Sequence, residues 1–267
     1  MGELVFVGLG LHDEKDISLR GLEEAKNGDF IFAELYTSLM EGLNLKKLEN
    51  LLGKKIVLIS RRMLEERNGK QILAAAQKAK AIFLVPGDPL IATTHVDLRI
   101  RAEKAGIRTR IIHSASIISA AMGLSGLQNY KFGRSVTIPF TNGDAVLETP
   151  YNVIKANLER GLHTLCFLDI RAKEKRYMTI KEALETLLTI EAKKRNGVIL
   201  RNRLVVGIAR ASSKTPLVKA GPLNEVLNHD FGSPPHTLLF PGKLHFMEAE
   251  ALIQLANATE SIRKQVK

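Results

Sequence analysis

The feature that most constrains this chain is a rhythm. Short apolar runs rich in β-branched residues recur along it, separated by stretches with helical spacing. "LVFVG" (4–8) reads as a strand, and "SLRGLEEAKNGD" as a helix with Ser18 as its N-cap and Asn27-Gly28 as its stop. "DFIFAELYTS" is the next strand with its exit loop, "LKKLENLLG" a short helix, and "KKIVLIS" another strand. A longer helix near 69–80 leads to "AIFLV", and a helix over 93–105 ends at Gly106 before "RTRIIH". Short apolar strands separated by helices predict a parallel sheet covered on both faces.

Around 123–135, "GLSGLQNYKFGRS" breaks the rhythm with glycines among polar residues, which places a domain boundary there. A second set follows: the strand "SVTIPF", a helix from Tyr151 to Gly161, the strand "HTLCFLDI" and a long helix over 179–195. The strand "LVVGIARA", a short strand near "PLVKAG", the strand "HTLLFP" and a helix from about His245 complete it. The expected fold class is α/β, with an N-terminal α/β domain over 1–123, a C-terminal α/β domain over 124–267, and a crevice between them. A chain of 267 residues is long enough to fill two such cores.

No apolar run approaches the roughly 18–20 residues of a membrane span, and the acidic residues of "MGELVFVGLGLHDEKD" come too early for a signal peptide. The single cysteine, Cys166, lies in the apolar run "TLCFLDI" and reads as a buried structural thiol. A cytoplasmic protein without a membrane partner is expected. The net charge of +11 suggests an acidic partner. Its basic residues are scattered, however, and aromatic residues make up only 5%, so no dedicated nucleic-acid site is expected.

In open α/β sheets, ligands bind beyond the carboxyl ends of the strands. Four segments there differ from plain connectors. "VGLGLHD" has two glycines but lacks the third glycine and the immediate helix of a dinucleotide cradle, so it is either a tight turn or a close approach to a ligand without phosphate. "VPGDPLIATTH" holds a carboxylate, Asp88, on a backbone fixed by Pro86 and Pro89. It is either an ordinary turn or an acceptor for an ammonium, a sulfonium-bearing ligand or ribose hydroxyls. "HSASIISAAMG" offers small residues that expose backbone to a purine edge or permit close helix packing. "GSPPHTLLFPGK" carries His236 at a strand entrance. No metal-ligand spacing and no G-x-S-x-G occur, so neither a metal site nor a serine hydrolase is expected.

Taken in order, "FVGLGL", "AELYTSL", "VPGDPLIATTHVDLRIRAEKAGI", "HSASI", "YKFG", "GLHTLCFLDI", "ARASS" and "DFGSPPHTLLFPGKLHFMEAEAL" resemble the diphthine synthases. This family is a branch of the tetrapyrrole methylase superfamily, with which the Gly-Asp-Pro turn is shared. The resemblance implies a homodimer of two α/β domains, with S-adenosyl-L-methionine in the cleft between the domains and S-adenosyl-L-homocysteine as product. It implies as substrate the aminocarboxypropyl-histidine of translation elongation factor 2, whose α-amino nitrogen is methylated, three times in the archaeal type, which this compact chain resembles. Eukaryotic relatives also add a methyl ester. The family's cofactor contacts carry over onto Leu11, Asp88, Ile91, Ser116, Ile117, Leu168, Ala211 and His236. Ala115 stands where some relatives carry proline, and backbone contacts from Ser116 survive that change. No catalytic base is singled out. Tyr36 and Lys173 are candidate substrate contacts by location. A tetrapyrrole methyltransferase, an RNA methyltransferase and a non-enzymatic nucleotide-binding protein stand as alternatives.

Overall fold

The computed structural model describes residues 2–141 and 147–266. The chain divides into two compact units, the first running to Ser116 with the addition of Ala172–Glu174, the second taking Ile117–Arg171 and the chain from Lys175 onward.

The first unit alternates strand and helix: β1 (Glu3–Gly8), α1 (Leu19–Lys26), β2 (Phe30–Ala33), α2 (Leu45–Leu52), β3 (Val57–Leu58), α3 (Lys70–Lys78), β4 (Lys80–Val85), α4 (His95–Lys104) and β5 (Arg108–Ile112). Its strands form one sheet in the order β3-β2-β4-β1-β5, and every pair is parallel. Alternate side chains explain why both faces are covered. Val5, Val7, Ile82 and Leu84 pack with Ala25, Leu48 and Leu52 on one face. Leu4, Phe6, Ala81 and Phe83 pack with Ile72, Ala76, Leu98 and Ala102 on the other. Ser18 caps α1 by accepting from the Gly21 amide, as its position in the sequence predicts. The run "KKIVLIS" supplies only a two-residue edge strand, because Val57 and Leu58 pair with β2 alone and remain exposed. A π-helical turn, Arg62–Glu66, follows it.

The second unit contains α5 (Ile117–Ser125), β6 (Val136–Ile138), α6 (Thr149–Glu159), β7 (Thr164–Leu168), β8 (Ile170–Arg171), β9 (Arg176–Tyr177), α7 (Ile180–Lys194), β10 (Leu204–Ala209), β11 (Leu217–Pro222), α8 (Leu223–Leu227), β12 (His236–Phe240) and α9 (Phe246–Ala256). Its main sheet has the order β11-β10-β12-β7-β6 and is antiparallel except for the β6–β7 pair. One face packs on α7 through Ala183, Leu184 and Leu187; the other packs on α9 through Ala249, Leu252 and Ala256. Helix α5 begins inside the "SASIISAAMG" segment, after Ser116. Ala121 lies in the α9-side core and Ile117 and Ile118 pack against it, whereas residues 114–116 precede the helix and belong to the first unit. Cys166 is fully buried, and burial pushes its thiol pKa up. Among the described residues no helix is long and apolar enough to cross a membrane.

Candidate active site

The strand order of the first unit fixes where a ligand can sit. From β1 the chain crosses over β4 to reach β2, whereas from β4 it crosses over β1 to reach β5. The two central neighbours therefore send their connections in opposite directions, which opens a crevice outside their carboxyl ends. The loops leaving those ends are "LGLHD" and "PGDPLIATT".

These loops are tied together by backbone. Gly10 and Gly87 form an antiparallel bridge, with Gly87 N–H donating to the Gly10 carbonyl at 2.6 Å and Gly10 N–H to the Gly87 carbonyl at 3.3 Å. Both glycines have positive φ, +80° and +70°. A Cβ on Gly10 would stand 2.3 Å from the Asp16 Cβ, so that glycine is required by the protein itself. A Cβ on Gly87 would meet nothing nearer than the Ala115 carbonyl at 4.0 Å, so the space above this peptide is open. Of the two readings of "VGLGL", the tight turn accounts for Gly10. The open approach belongs to Gly87.

Asp88 is 7% exposed, and its carboxylate is engaged within the unit. Oδ1 accepts from the Leu90 amide at 3.2 Å, and Oδ2 meets His113 Nδ1 at 2.7 Å and the Ser114 amide at 3.4 Å. The residue thus organises the turn and ties it to the end of β5. The Asp16 carboxylate does the same for the first loop, accepting from the amides of Leu11 at 3.1 Å and His12 at 2.8 Å. Sequence reading missed Asp16 and His113. The signal available for Asp16 was an acidic residue just ahead of the Ser18 cap, which by itself reads as a solvated loop charge. Ile91 is 40% exposed on the turn and donates its amide to the Asp88 carbonyl at 3.3 Å. Leu11 and Ser116 are half-buried. Tyr36 is half-buried beneath the Arg61 guanidinium, and burial raises its phenol pKa. Lys173 is exposed.

The second unit gathers its candidates at one end of the sheet. His236 opens β12 and pairs with Ala209 of β10, two residues before Ala211. Thr237 pairs with Phe167, so Leu168 lies beside the same strand entrance. Leu168 and His236 are 8% exposed, whereas Ala211 and Ile117 are half-buried, with Ile117 opening α5. His236 Nδ1 accepts from the Ile180 amide at 3.3 Å, which leaves the ring proton on Nε2. Nε2 has no hydrogen-bond partner among the described residues. Burial lowers the His236 pKa, opposed in part by the neighbouring backbone of Ser233, Gly232 and Phe231, so the imidazole is neutral near pH 7. The preceding loop is held by Arg210. Its Nη1 donates to the carbonyls of Phe231 at 2.6 Å and Ser233 at 2.7 Å, and its own φ is +50°.

Among the described residues no group of three His, Cys, Asp or Glu side chains could hold a metal ion. An open face over Gly87 and a buried, unpartnered His236 N–H are features that a ligand of mixed polarity can use.

Comparisons with known proteins agree with this geometry. Residues 3–227 match the family model for tetrapyrrole (corrin/porphyrin) methylases. The chain is 52% identical to the diphthine synthase of Methanosarcina barkeri over 98% of its own length and 99% of that protein's. It is 49% identical to that of Methanocaldococcus jannaschii over 93% of this chain and 97% of the other. A crystal structure of a diphthine synthase superposes with a TM-score of 0.89 at 41% identity, covering 98% of this chain and 99% of the other. The α/β fold expected from the sequence is therefore shared with solved relatives, and the chain belongs to the tetrapyrrole methylase family, within its diphthine synthase branch.

Proposed function

We propose that this protein is an S-adenosyl-L-methionine-dependent methyltransferase. It methylates the α-amino nitrogen of the aminocarboxypropyl-histidine of translation elongation factor 2 to give diphthine. The reading is supported above all by near-full-length identity of about half to diphthine synthases, in a chain that keeps an open Gly-Asp-Pro turn at the switch point of a parallel sheet. As in the archaeal type, the amine receives three methyl groups, and the enzyme works as a cytoplasmic homodimer.

When bound, S-adenosyl-L-methionine supplies an electrophilic methyl group on a sulfonium, and S-adenosyl-L-homocysteine is the product. The chain's own part is to bind and orient. Leu11, Asp88, Ile91, Ser116, Ile117, Leu168, Ala211 and His236 would hold the cofactor, Asp88 chiefly by fixing the Gly-Asp-Pro turn and His236 with its Nε2–H as a donor. Alignment of amine, methyl and sulfur contributes several kcal/mol, up to about 7–11 in favourable cases. Because the bound sulfonium would bring its own positive charge, the chain need not provide a strong oxyanion hole. Each of the first two transfers leaves a protonated amine that loses its proton to solvent before it reacts again. The net charge of +11 favours docking on an acidic protein surface.

The test is transfer of tritiated methyl from S-adenosyl-L-methionine to elongation factor 2 carrying the aminocarboxypropyl histidine. Label on the factor is expected. Label only in RNA or in a uroporphyrinogen-type acceptor would replace this reading with one of its rivals.

A further inference from the structure

Beneath the Gly-Asp-Pro turn lies a buried pair that the cofactor contacts do not include. Glu34, just past β2, and His95, at the start of α4, are both fully buried. The Glu34 carboxylate accepts from the amides of Tyr36 at 2.9 Å and Thr37 at 3.1 Å, and from the Thr37 hydroxyl. His95 Nδ1 lies 3.1 Å from the Pro89 carbonyl, which also accepts from the Thr93 hydroxyl at 3.0 Å. A carbonyl only accepts, so Nδ1 carries the proton. Nε2 faces Glu34 Oε1 at 3.7 Å and has no hydrogen-bond partner among the described residues. The ring is wedged edge-on against Phe83 of β4 at 5.2 Å. Between Pro89 and His95 the chain passes through Ala92 at φ +55°, a conformation that costs an alanine about 1–2 kcal/mol and needs outside support.

We propose that Glu34 and His95 are positioning residues for the methyl-donor site. His95 pins the Pro89 carbonyl and with it the strained segment after Asp88, while Glu34 shapes the Tyr36–Thr37 loop leaving the neighbouring strand. The two loops meet in the buried interior, where the His95 ring packs beside Glu34 with 3.7 Å between Nε2 and Oε1. This deepens the proposed function and rests on its assignment of the donor to the Gly-Asp-Pro turn. Burial lowers the His95 pKa, which keeps the ring neutral and its single proton on the Pro89 side.

The test uses the full chain and S-adenosyl-L-homocysteine as the probe. His95→Phe keeps the ring's volume and removes the donor; it should weaken binding at least about tenfold. His95→Asn places an amide nitrogen where Nδ1 stood and should stay within about threefold of wild type. Amide exchange, read without ligand, should quicken at Leu90 and Ile91 in His95→Phe and at Tyr36 and Thr37 in Glu34→Gln. Wild-type binding in His95→Phe, or equal loss in the Phe and Asn variants, would overturn the proposal. If His95→Phe does not fold, Thr93→Val removes the other bond to Pro89 and should weaken binding about threefold with an unchanged melting temperature; wild-type binding there would overturn it equally. Should the wild-type chain itself not bind the probe, the proposed function fails, and unchanged exchange at these four amides separately rejects the positioning role.

Discussion

The first unit presents its candidate ligand residues from loops that leave parallel strands, whereas the second presents His236 from the entrance of an antiparallel one. In the first, the prominent polar side chain is already committed: Asp88 is engaged by Leu90, His113 and Ser114, and what faces outward is the backbone above Gly87. In the second, His236 keeps a buried N–H without a partner. The first unit offers open backbone, and the second an unpartnered donor. Substitutions in the first should therefore disturb geometry before they remove an interaction, and in the second the reverse.

The largest expected effect separates stability from ligand binding. Glu248 is fully buried in the second unit, where it accepts from the Gln128 and His245 amides at 2.9 and 2.8 Å, meets His163 Nε2 at 2.8 Å and pairs with Lys131. Burial raises its pKa, but these four partners outweigh burial and the net shift is downward. Glu248→Ala leaves Lys131 and His163 without their carboxylate and should cost about 3–5 kcal/mol in denaturant unfolding. Binding of S-adenosyl-L-homocysteine by the folded fraction should be unchanged. Gly10→Ala comes next: its Cβ meets Asp16 at 2.3 Å at a φ of +80°, which should cost about 2–3 kcal/mol and weaken binding together with stability.

Acid should act in two steps, the first of them in both units. His95 in the first unit and His163 and His236 in the second all have pKa values lowered by burial. The unfolded chain therefore binds protons that the folded one refuses, and stability should fall as pH drops below about 6.5. In the first unit Glu24 is held at about 2 by Arg110 and Lys80, so a second loss is expected there between about 4.5 and 2, where this carboxyl protonates in the unfolded chain before it does in the folded one. Melting temperatures from pH 8 to 3 should show both steps; a curve flat down to pH 4.5 would contradict the first. His236→Phe removes the unpartnered Nε2 donor beside Phe231 and also the Nδ1 acceptor of the Ile180 amide. It should weaken cofactor binding about tenfold and cost about 1–3 kcal/mol of stability, because the buried Ile180 amide loses its partner.

The two units also differ in how much of them can be read in advance. Both faces of β1 and β4 are buried, so "LVFVG" and "AIFLV" are continuous apolar runs between helices, and that pattern points to parallel pairing. In the second unit "LVVGIARA" and "HTLLFP" are equally apolar because α7 and α9 cover both faces, yet they pair antiparallel. Periodicity records burial and does not record strand direction. Helix α5 was hidden because "SASIISAAMG" consists of small residues that suit backbone exposure and helix packing alike. Asp88 and His236 were visible through the prolines and glycines around them. Asp16, His113, Glu34 and His95 act through partners 2 to 61 positions away, and no local pattern marks such contacts.

Gly87→Ala gives the sharpest measurement. Its φ of +70° should cost about 1 kcal/mol, and the added Cβ enters space in which the nearest protein atom is 4.0 Å away. Calorimetric titration with S-adenosyl-L-homocysteine, paired with a thermal melt, should find binding in the wild type and at least about tenfold weaker binding in the variant, with only a small loss of stability. Equal affinity in the two proteins would mean that the space over the Gly-Asp-Pro turn is not where the methyl donor lies.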